Sequence, residues 1–237
     1  MNFIKNNLAN AFTLANLFSG SVGVIQLLAG NYHLTALCII ISLILDFFDG
    51  FVARAMKSNS NLGAQLDSLA DMVSFGLLPG IVMYEALEPF GQQFLGMQLP
   101  FSIQYFGIFI ALFSCLRLAI FNLDEEQTYY FKGLNTPSNT ILVFGLYYAF
   151  LENGNFAFLF ENAALLVLFT IISSWLLISP IKMIAMKFKS KKISDNSPKI
   201  VLLVGAIAIL LLFGITGIPL TMLYYLAVSL VFQKKLG

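Results

Sequence analysis

The stretch that decides the fold class lies at residues 46–71, where the chain reads DFFDGFVARAMKSNSNLGAQLDSLAD. It joins two strongly apolar runs and carries four aspartates in or beside them: Asp46, Asp49, Asp67 and Asp71. A carboxylate in hydrocarbon costs roughly 2.5–3.5 kcal/mol on insertion scales, so an acid inside a membrane marks a functional site by default. The remaining sequence decides whether these acids lie in a membrane.

The composition of the chain is that of a membrane protein. Of its 237 residues, 59% are hydrophobic and only 11% are charged, against about 25% charged residues in an average soluble domain. A soluble domain of this size has too large a solvent-exposed surface, relative to its volume, to bury that much apolar area. We predict an all-α polytopic bundle, and we exclude a disordered chain, a secreted disulfide scaffold and a nucleic-acid binder.

Apolar runs of about 20 residues predict membrane helices, and we expect about eight of them in a single membrane-embedded domain, residues 1–237. The expected spans are 9–29, 32–54, 64–86, 101–121, 138–152, 161–182, 199–214 and 217–233. The two cysteines, Cys38 and Cys115, fall inside these runs, so neither a disulfide framework nor a zinc site is expected.

The basic residues predict the orientation. With eight spans, all 13 lysines and arginines fall on one side of the membrane, whereas Glu85, Glu88, Glu152 and Glu161 fall on the other. Basic loops stay on the cytoplasmic side. We therefore expect a multi-pass protein of the cell inner membrane, with both termini and the acidic stretch at the cytoplasmic side.

The four aspartates are spaced to form two facing acidic surfaces. Asp46, Asp49, Gly50 and Ala53 follow i, i+3, i+4, i+7 spacing, and Asp67 and Asp71 follow i, i+4 spacing, so each set lies on one helix face. Because the connecting segment is short, the two faces converge. An all-oxygen site suits Mg²⁺, Mn²⁺ or Ca²⁺, and four carboxylates are enough for two ions that bind phosphates.

Two other interpretations of the acids were weighed. Pairing with Arg54 and Lys57 would only support helix packing, but two cations cannot neutralise four anions. A cation-coupled transporter would use the carboxylates as a relay, although the inverted repeats and broken helices common in transporters are not evident in the sequence. The transporter stays open as an alternative from another functional class.

The same residues resemble the signature of the CDP-alcohol phosphotransferase family, D-x2-D-G-x2-A-R-x8-G-x3-D-x3-D, at every fixed position and spacing. Within the family, residues 13–20, 67–76, 117–122 and 132–137 are similar to segments of the phosphatidylserine synthases, with Ile120 in place of an arginine and Asn135 in place of a proline. The resemblance covers about the first six spans, a core of about 9–182, and leaves an extra helix pair at about 199–233.

The resemblance implies roles for particular residues. Asp46, Asp49, Asp67 and Asp71 would hold two divalent cations, Mg²⁺ or Mn²⁺, and Asp71 would also be the general base. Serine would be bound by Arg117, Asn122 and Lys132. The residues expected to line the CDP-diacylglycerol site are Asn10, Gly50, Ala53, Arg54, Ser60, Gly63 and Asp67.

The implied activity is phosphatidyl transfer from CDP-diacylglycerol to L-serine, giving phosphatidylserine and CMP, by a homodimer embedded in membrane lipid. The alternative within the family is the same chemistry with another alcohol, such as glycerol phosphate or an inositol phosphate. A phosphorylated acceptor would require a denser basic pocket than Arg117 and Lys132 supply.

Overall fold

The computed structural model describes residues 2–55, 61–124, 130–185 and 196–236. Two predicted residues, Lys57 and Ser60, lie outside these ranges. The chain divides into two compact units, Met1–Asn122 and Leu123–Gly237. Helices dominate both, which confirms the all-α class. That one domain spans the whole chain stays a prediction.

The first unit is built from five helices in its described part, with short elements between them. They are α1 (Asn2–Leu28), α2 (Tyr32–Ala55), α3 (Asn61–Asp71), a π-helical turn (Met72–Leu77), α4 (Leu78–Leu87), a 3₁₀ turn (Glu88–Phe90), the strands β1 (Gln93–Phe94) and β2 (Met97–Gln98), a second 3₁₀ turn (Ile103–Gly107) and α5 (Ile108–Leu123).

Small and polar residues join α1 to α2. The helices run antiparallel, because Ser19 donates to the Cys38 carbonyl at 2.9 Å while Thr35, earlier in α2, donates to the carbonyl of Gly23 at 3.3 Å. Helices in lipid gain little from hydrophobic association, so small side chains and hydrogen bonds hold them together. These contacts fix the register between α1 and the acidic end of α2.

A widened turn follows Asp71, a feature that the sequence analysis did not predict. In the π-helical turn, the Leu78 N–H bonds the Val73 carbonyl, five residues back. The next residue, Pro79, has no N–H to donate to a regular helical bond. The side chains of Ser74 and Phe75 in this turn are fully buried.

The described part of the second unit contains six helices and one strand pair. They are β3 (Tyr130–Lys132), α6 (Thr136–Asn153), α7 (Ala157–Phe160), α8 (Ala163–Ile178), β4 (Lys182–Ile184), α9 (Ser197–Phe213), a 3₁₀ turn (Gly214–Thr216), α10 (Gly217–Val231) and α11 (Gln233–Leu236).

The strands β3 and β4 pair antiparallel, with Phe131 opposite Met183. Helix α10 supports this pair, because the Tyr225 hydroxyl donates to the Ile184 carbonyl at 3.1 Å. The expected sixth span, 161–182, is therefore too long at its end: α8 ends at Ile178, and Lys182 begins a strand.

Each of the eight expected spans overlaps a helix of the described residues. Five helical segments are long and apolar enough to cross a membrane: Leu8–Leu28, Tyr32–Ala55, Asn61–Phe90, Ile103–Leu123 and Ser197–Val231. The last contains the antiparallel pair α9 and α10, because Tyr224 contacts Gly205 and donates to the carbonyl of Val201. The chain is thus a multi-pass membrane protein.

Candidate active site

Three of the four aspartates form a compact cluster. Asp46, Asp49 and Asp67 each offer a carboxylate oxygen, and these oxygens lie within 4.8 Å of one another. The helices α2 and α3 bring them together, as the spacing predicted. Asp49 is buried, with 5% of its surface exposed.

The cluster has the properties of a site for a hard divalent cation. Its donors are all oxygens, which suit Mg²⁺, Mn²⁺ or Ca²⁺. The Asp67 Oδ1 atom is buried and has no hydrogen-bond partner among the described residues. An unpaired buried acceptor is costly, and three neighbouring carboxylates repel one another, so a bound cation would relieve both costs. The residues present therefore fit a metal.

Asp71 lies at the end of α3, where the π-helical turn begins. It is 9% exposed, and the Asn16 amide Nδ2 donates to its Oδ1 at 3.4 Å. The carboxyl groups of the other three aspartates and the guanidinium of Arg117 are close enough to act on its charge. Asp71 thus stands beside the cluster, within the electrostatic influence of Arg117.

A cavity of about 280 Å³ opens beside the cluster. Its lining residues are Ala9, Asn10, Thr13, Asp49, Gly50, Ala53, Asn61, Gly63, Ala64 and Asp67. Five of the residues predicted to line the CDP-diacylglycerol site are among them. The small side chains keep the wall open beside the acids.

Arg54 lies at the edge of the same region. A Cβ atom placed on Gly50 would be 3.2 Å from the Arg54 Nη1 atom, so the guanidinium lies over this glycine. An arginine there can bind phosphate oxygens through two parallel hydrogen bonds. Ser60, predicted to contact the same group, lies outside the described residues.

The residues predicted for serine occur in both units. Arg117 is buried, 8% exposed, and its guanidinium carbon lies 5.1 Å from the centre of the Phe121 ring. Asn122 donates to the Ser68 hydroxyl at 2.8 Å, next to Asp67 in α3. Lys132 belongs to the second unit and pairs there with Asp124 at 2.9 Å.

Two polar residues of α1 in contact with the acids were missed by sequence reasoning. The Thr13 hydroxyl donates to Asp49 Oδ2 at 2.8 Å, and Asn16 contacts Asp71. Their i, i+3 spacing was the available signal, since it places both on one face of α1.

Several characterised proteins are similar to this chain. Proteins named CDP-diacylglycerol–serine O-phosphatidyltransferase match from Bacillus subtilis (32% identical over 125 residues), Helicobacter pylori strain J99 (34% over 139) and Saccharomyces cerevisiae (32% over 158). The matches cover 53%, 56% and 60% of this chain and 66%, 54% and 54% of those proteins. The chain thus spans between about half and two thirds of the length of these relatives.

A family model extends the match beyond the acidic stretch. It is described as CDP-alcohol phosphatidyltransferase and covers residues 6–172. This range includes most of α1, with its two contacts to the acids, and the whole of α2, α3 and α5. Since the match covers more than half of the sequence and includes the three-aspartate cluster, the chain belongs to the CDP-alcohol phosphatidyltransferase family.

Proposed function

We propose that this protein transfers a phosphatidyl group from CDP-diacylglycerol to L-serine, giving phosphatidylserine and CMP. One observation carries the proposal: the cluster of Asp46, Asp49 and Asp67 lines or adjoins a cavity walled by the small residues of the family signature. The names of the relatives supply the substrates, since each is called a CDP-diacylglycerol–serine O-phosphatidyltransferase.

The donor would place its diphosphate between the acids and Arg54. The family is metal dependent, and Asp46, Asp49, Asp67 and Asp71 would hold two ions, Mg²⁺ or Mn²⁺. When bound, these ions supply positive charge to the diphosphate and to the leaving CMP. Asn10, Gly50, Ala53 and Gly63 would contact the nucleotide side of the donor, with Ser60 as a further phosphate contact.

Asp71 would accept the proton of the acceptor. The serine hydroxyl oxygen attacks the β-phosphorus and forms a new P–O bond. The bond from that phosphorus to the bridging oxygen breaks, and CMP leaves with the electron pair. A hydroxyl is a poor nucleophile at neutral pH, so its proton must pass to a positioned base. Asp71 is supported in this role by its place beside the cluster and near Arg117.

Arg117 would hold the serine carboxylate. A buried guanidinium binds a carboxylate through two parallel charge-assisted hydrogen bonds, and Arg117 is 8% exposed. Asn122, at the end of α5, would contribute a polar contact beside Ser68. Lys132 stays a proposed serine contact, although it pairs with Asp124 in its own unit.

The decisive experiment uses the purified full chain in lipid nanodiscs with CDP-diacylglycerol and Mn²⁺ or Mg²⁺. Serine, glycerol phosphate, inositol phosphate and water are compared as acceptors, by CMP release and by mass spectrometry of the lipid product. We expect serine-dependent CMP release that EDTA abolishes. A lipid product formed from another alcohol would identify that alcohol as the acceptor in place of serine. Cation flux across the membrane without CMP release would favour a transporter.

The orientation is part of the proposal. The sided distribution of basic residues supports cytoplasmic termini and a cytoplasmic active site in the inner membrane. Single cysteines placed at the two termini of a Cys38→Ala, Cys115→Ala chain should react with an impermeant maleimide only after spheroplasts are broken open. Labelling in intact spheroplasts would reverse the orientation.

The protein would act as a homodimer, as the family resemblance implies. The mass of the purified chain in nanodiscs, measured by native mass spectrometry, should correspond to two copies. A single copy with full activity would remove the dimer from the proposal and leave the chemistry in place.

A further inference from the structure

Two side chains of α1 reach two different aspartates of the acidic site. Thr13, 3% exposed, donates its hydroxyl to Asp49 Oδ2 at 2.8 Å, and Asn16, fully buried, donates Nδ2 to Asp71 Oδ1 at 3.4 Å. Asp49 belongs to α2 and Asp71 to α3. One face of α1 therefore contacts an acid on each of the two acidic helices.

The backbone at Asn16 is held at the same point. Its carbonyl oxygen accepts hydrogen bonds from Ser42 of α2 at 3.4 Å and from Ser74 of the π-helical turn at 3.1 Å. Gly20 permits the second contact, because a Cβ there would lie 2.7 Å from the Ser74 Cα. Two hydroxyls from different elements thus fix where the Asn16 side chain begins.

The orientation of the Asn16 amide follows from the acid that it faces. With Nδ2 toward Asp71, its Oδ1 is left buried and without a partner among the described residues. The reverse orientation would place the amide oxygen against a carboxylate and remove the only donor from that contact. A buried unpaired oxygen destabilises the folded protein. The contact with Asp71 is therefore retained although it leaves this oxygen unpaired.

We propose that Thr13 and Asn16 are positioning residues that fix the Asp49 and Asp71 carboxylates for cation binding. The inference rests on the proposed metal site and deepens it. Hydrogen bonds from neighbouring residues orient metal-ligating carboxylates, and their loss typically lowers metal affinity 10–100-fold. In this chain both donors come from α1, a helix that contributes no acid to the site.

The test measures Mn²⁺ binding by the full chain in nanodiscs, without substrate, by electron paramagnetic resonance. Thr13→Val removes the hydroxyl at nearly constant volume, and Thr13→Ser keeps it. Asn16→Ala removes the amide. Ser21→Ala is the matched control, because Ser21 is a hydroxyl of α1 that donates to the Leu17 carbonyl of its own helix at 2.8 Å rather than to an acid or to α2. Thermal melting verifies that each variant is folded.

We expect Thr13→Val and Asn16→Ala to bind Mn²⁺ roughly tenfold more weakly or worse. Thr13→Ser should have the affinity of the wild type, and Ser21→Ala should keep it. If Asn16→Ala does not fold, the comparison of Mn²⁺ affinity between Thr13→Val and Thr13→Ser tests the proposal.

Two results would overturn the proposal alone: unchanged Mn²⁺ affinity in folded Thr13→Val, or affinity in Thr13→Ser as weak as in Thr13→Val. A wild-type chain that binds no Mn²⁺ would overturn the proposal together with the metal site. The two failures are therefore distinguishable from the same titration.

Discussion

Two antiparallel helix pairs in this chain are held together by different means. Between α1 and α2, buried hydroxyls of Ser19, Thr35 and Ser42 donate to carbonyls of the opposite helix, and Thr13 donates to an acid. Between α9 and α10, the tyrosine ring of Tyr224 packs on Gly205, and its hydroxyl donates to the carbonyl of Val201. The first pair carries its polar contacts along its length, whereas the second is almost wholly apolar.

The difference shows what polar contacts accomplish in an apolar chain. Lipid tails are as apolar as leucine side chains, so helices in lipid associate through close packing and through hydrogen bonds, and one helix pair can rely mainly on packing. The pair α9 and α10, most of whose large side chains are exposed, is such a case. Where carboxylates must stand a few ångströms apart, hydroxyls and amides fix the register.

The largest expected effect tests whether the acidic region is catalytic at all. Asp71→Asn keeps the size of the side chain and can still contact Asn16, but it cannot accept a proton. Loss of a general base costs typically 10²–10⁴-fold in rate, and we expect CMP release to fall by about that factor. The rate is measured with CDP-diacylglycerol, serine and saturating Mn²⁺.

The matched control for this variant is its melting temperature in nanodiscs, which should stay near that of the wild type. A folded Asp71→Asn chain that releases CMP at a near-normal rate would remove Asp71 as the base. The proton would then have to pass to another acid of the cluster.

The next effect compares one glycine from each helix pair. Gly20→Ala would force Ser74 away from α1, since the new methyl group would meet both backbone and side chain of Ser74. Overpacking of this kind costs about 1–3 kcal/mol. We expect a lower melting temperature and also a lower rate of CMP release per folded molecule, because Asn16 and its contact with Asp71 move with the backbone.

Gly205→Ala is the partner experiment. Its methyl group would meet the Tyr224 ring, the far end of a side chain that can rotate, so the melting temperature should fall less. The rate per folded molecule should be unchanged. Equal losses of activity from the two glycines would contradict the distinction between the pairs.

A smaller and more selective effect is expected at Arg117. Arg117→Ala should raise the KM for serine far more than the KM for CDP-diacylglycerol, because the guanidinium is proposed to bind the serine carboxylate. Loss of a charged hydrogen bond of about 1.5–3 kcal/mol corresponds to a rise in the serine KM of roughly 10–100-fold. The serine KM of Arg117→Lys, which keeps the charge, should lie between that of the wild type and that of Arg117→Ala. An unchanged serine KM in Arg117→Ala would make Arg117 a structural residue.

The sequence predicted where the aspartates lie better than it predicted the contacts of α1 and the π-helical turn that hold them in place. The i, i+3 and i, i+4 spacing of the aspartates was enough to place three carboxylates together, because helix periodicity is local. Five of the donor-site residues that the resemblance implied line one cavity, and four of these lie in the acidic stretch itself. The contact between Ser74 and the Asn16 carbonyl could not be predicted, since it joins residues 58 positions apart and depends on how α1 packs against a turn.

Local irregularities were also beyond the sequence patterns. The pairing of Lys182 with Lys132 depends on a partner strand about 50 residues earlier in the chain. The end of α8 at Ile178, by contrast, follows from Pro180, which disfavours a helical conformation at the residue before it. The hydropathy pattern shows only that residues 161–182 are mostly apolar. A strand of three residues inside such a run has no periodic signal of its own.

The smallest expected effect comes from one hydroxyl in the apolar pair. Tyr224→Phe removes the 2.9 Å hydrogen bond to the Val201 carbonyl but keeps the ring on Gly205. Interhelical hydrogen bonds in membranes contribute about 0.6 kcal/mol on average, so the melting temperature should fall slightly and the kinetic constants should not change. Thr35→Val, which removes a buried hydroxyl between α1 and α2, should cost more. If Tyr224→Phe were the more damaging of the two, the α9–α10 pair would depend on its tyrosine hydrogen bond more than the α1–α2 pair depends on one of its several hydrogen bonds.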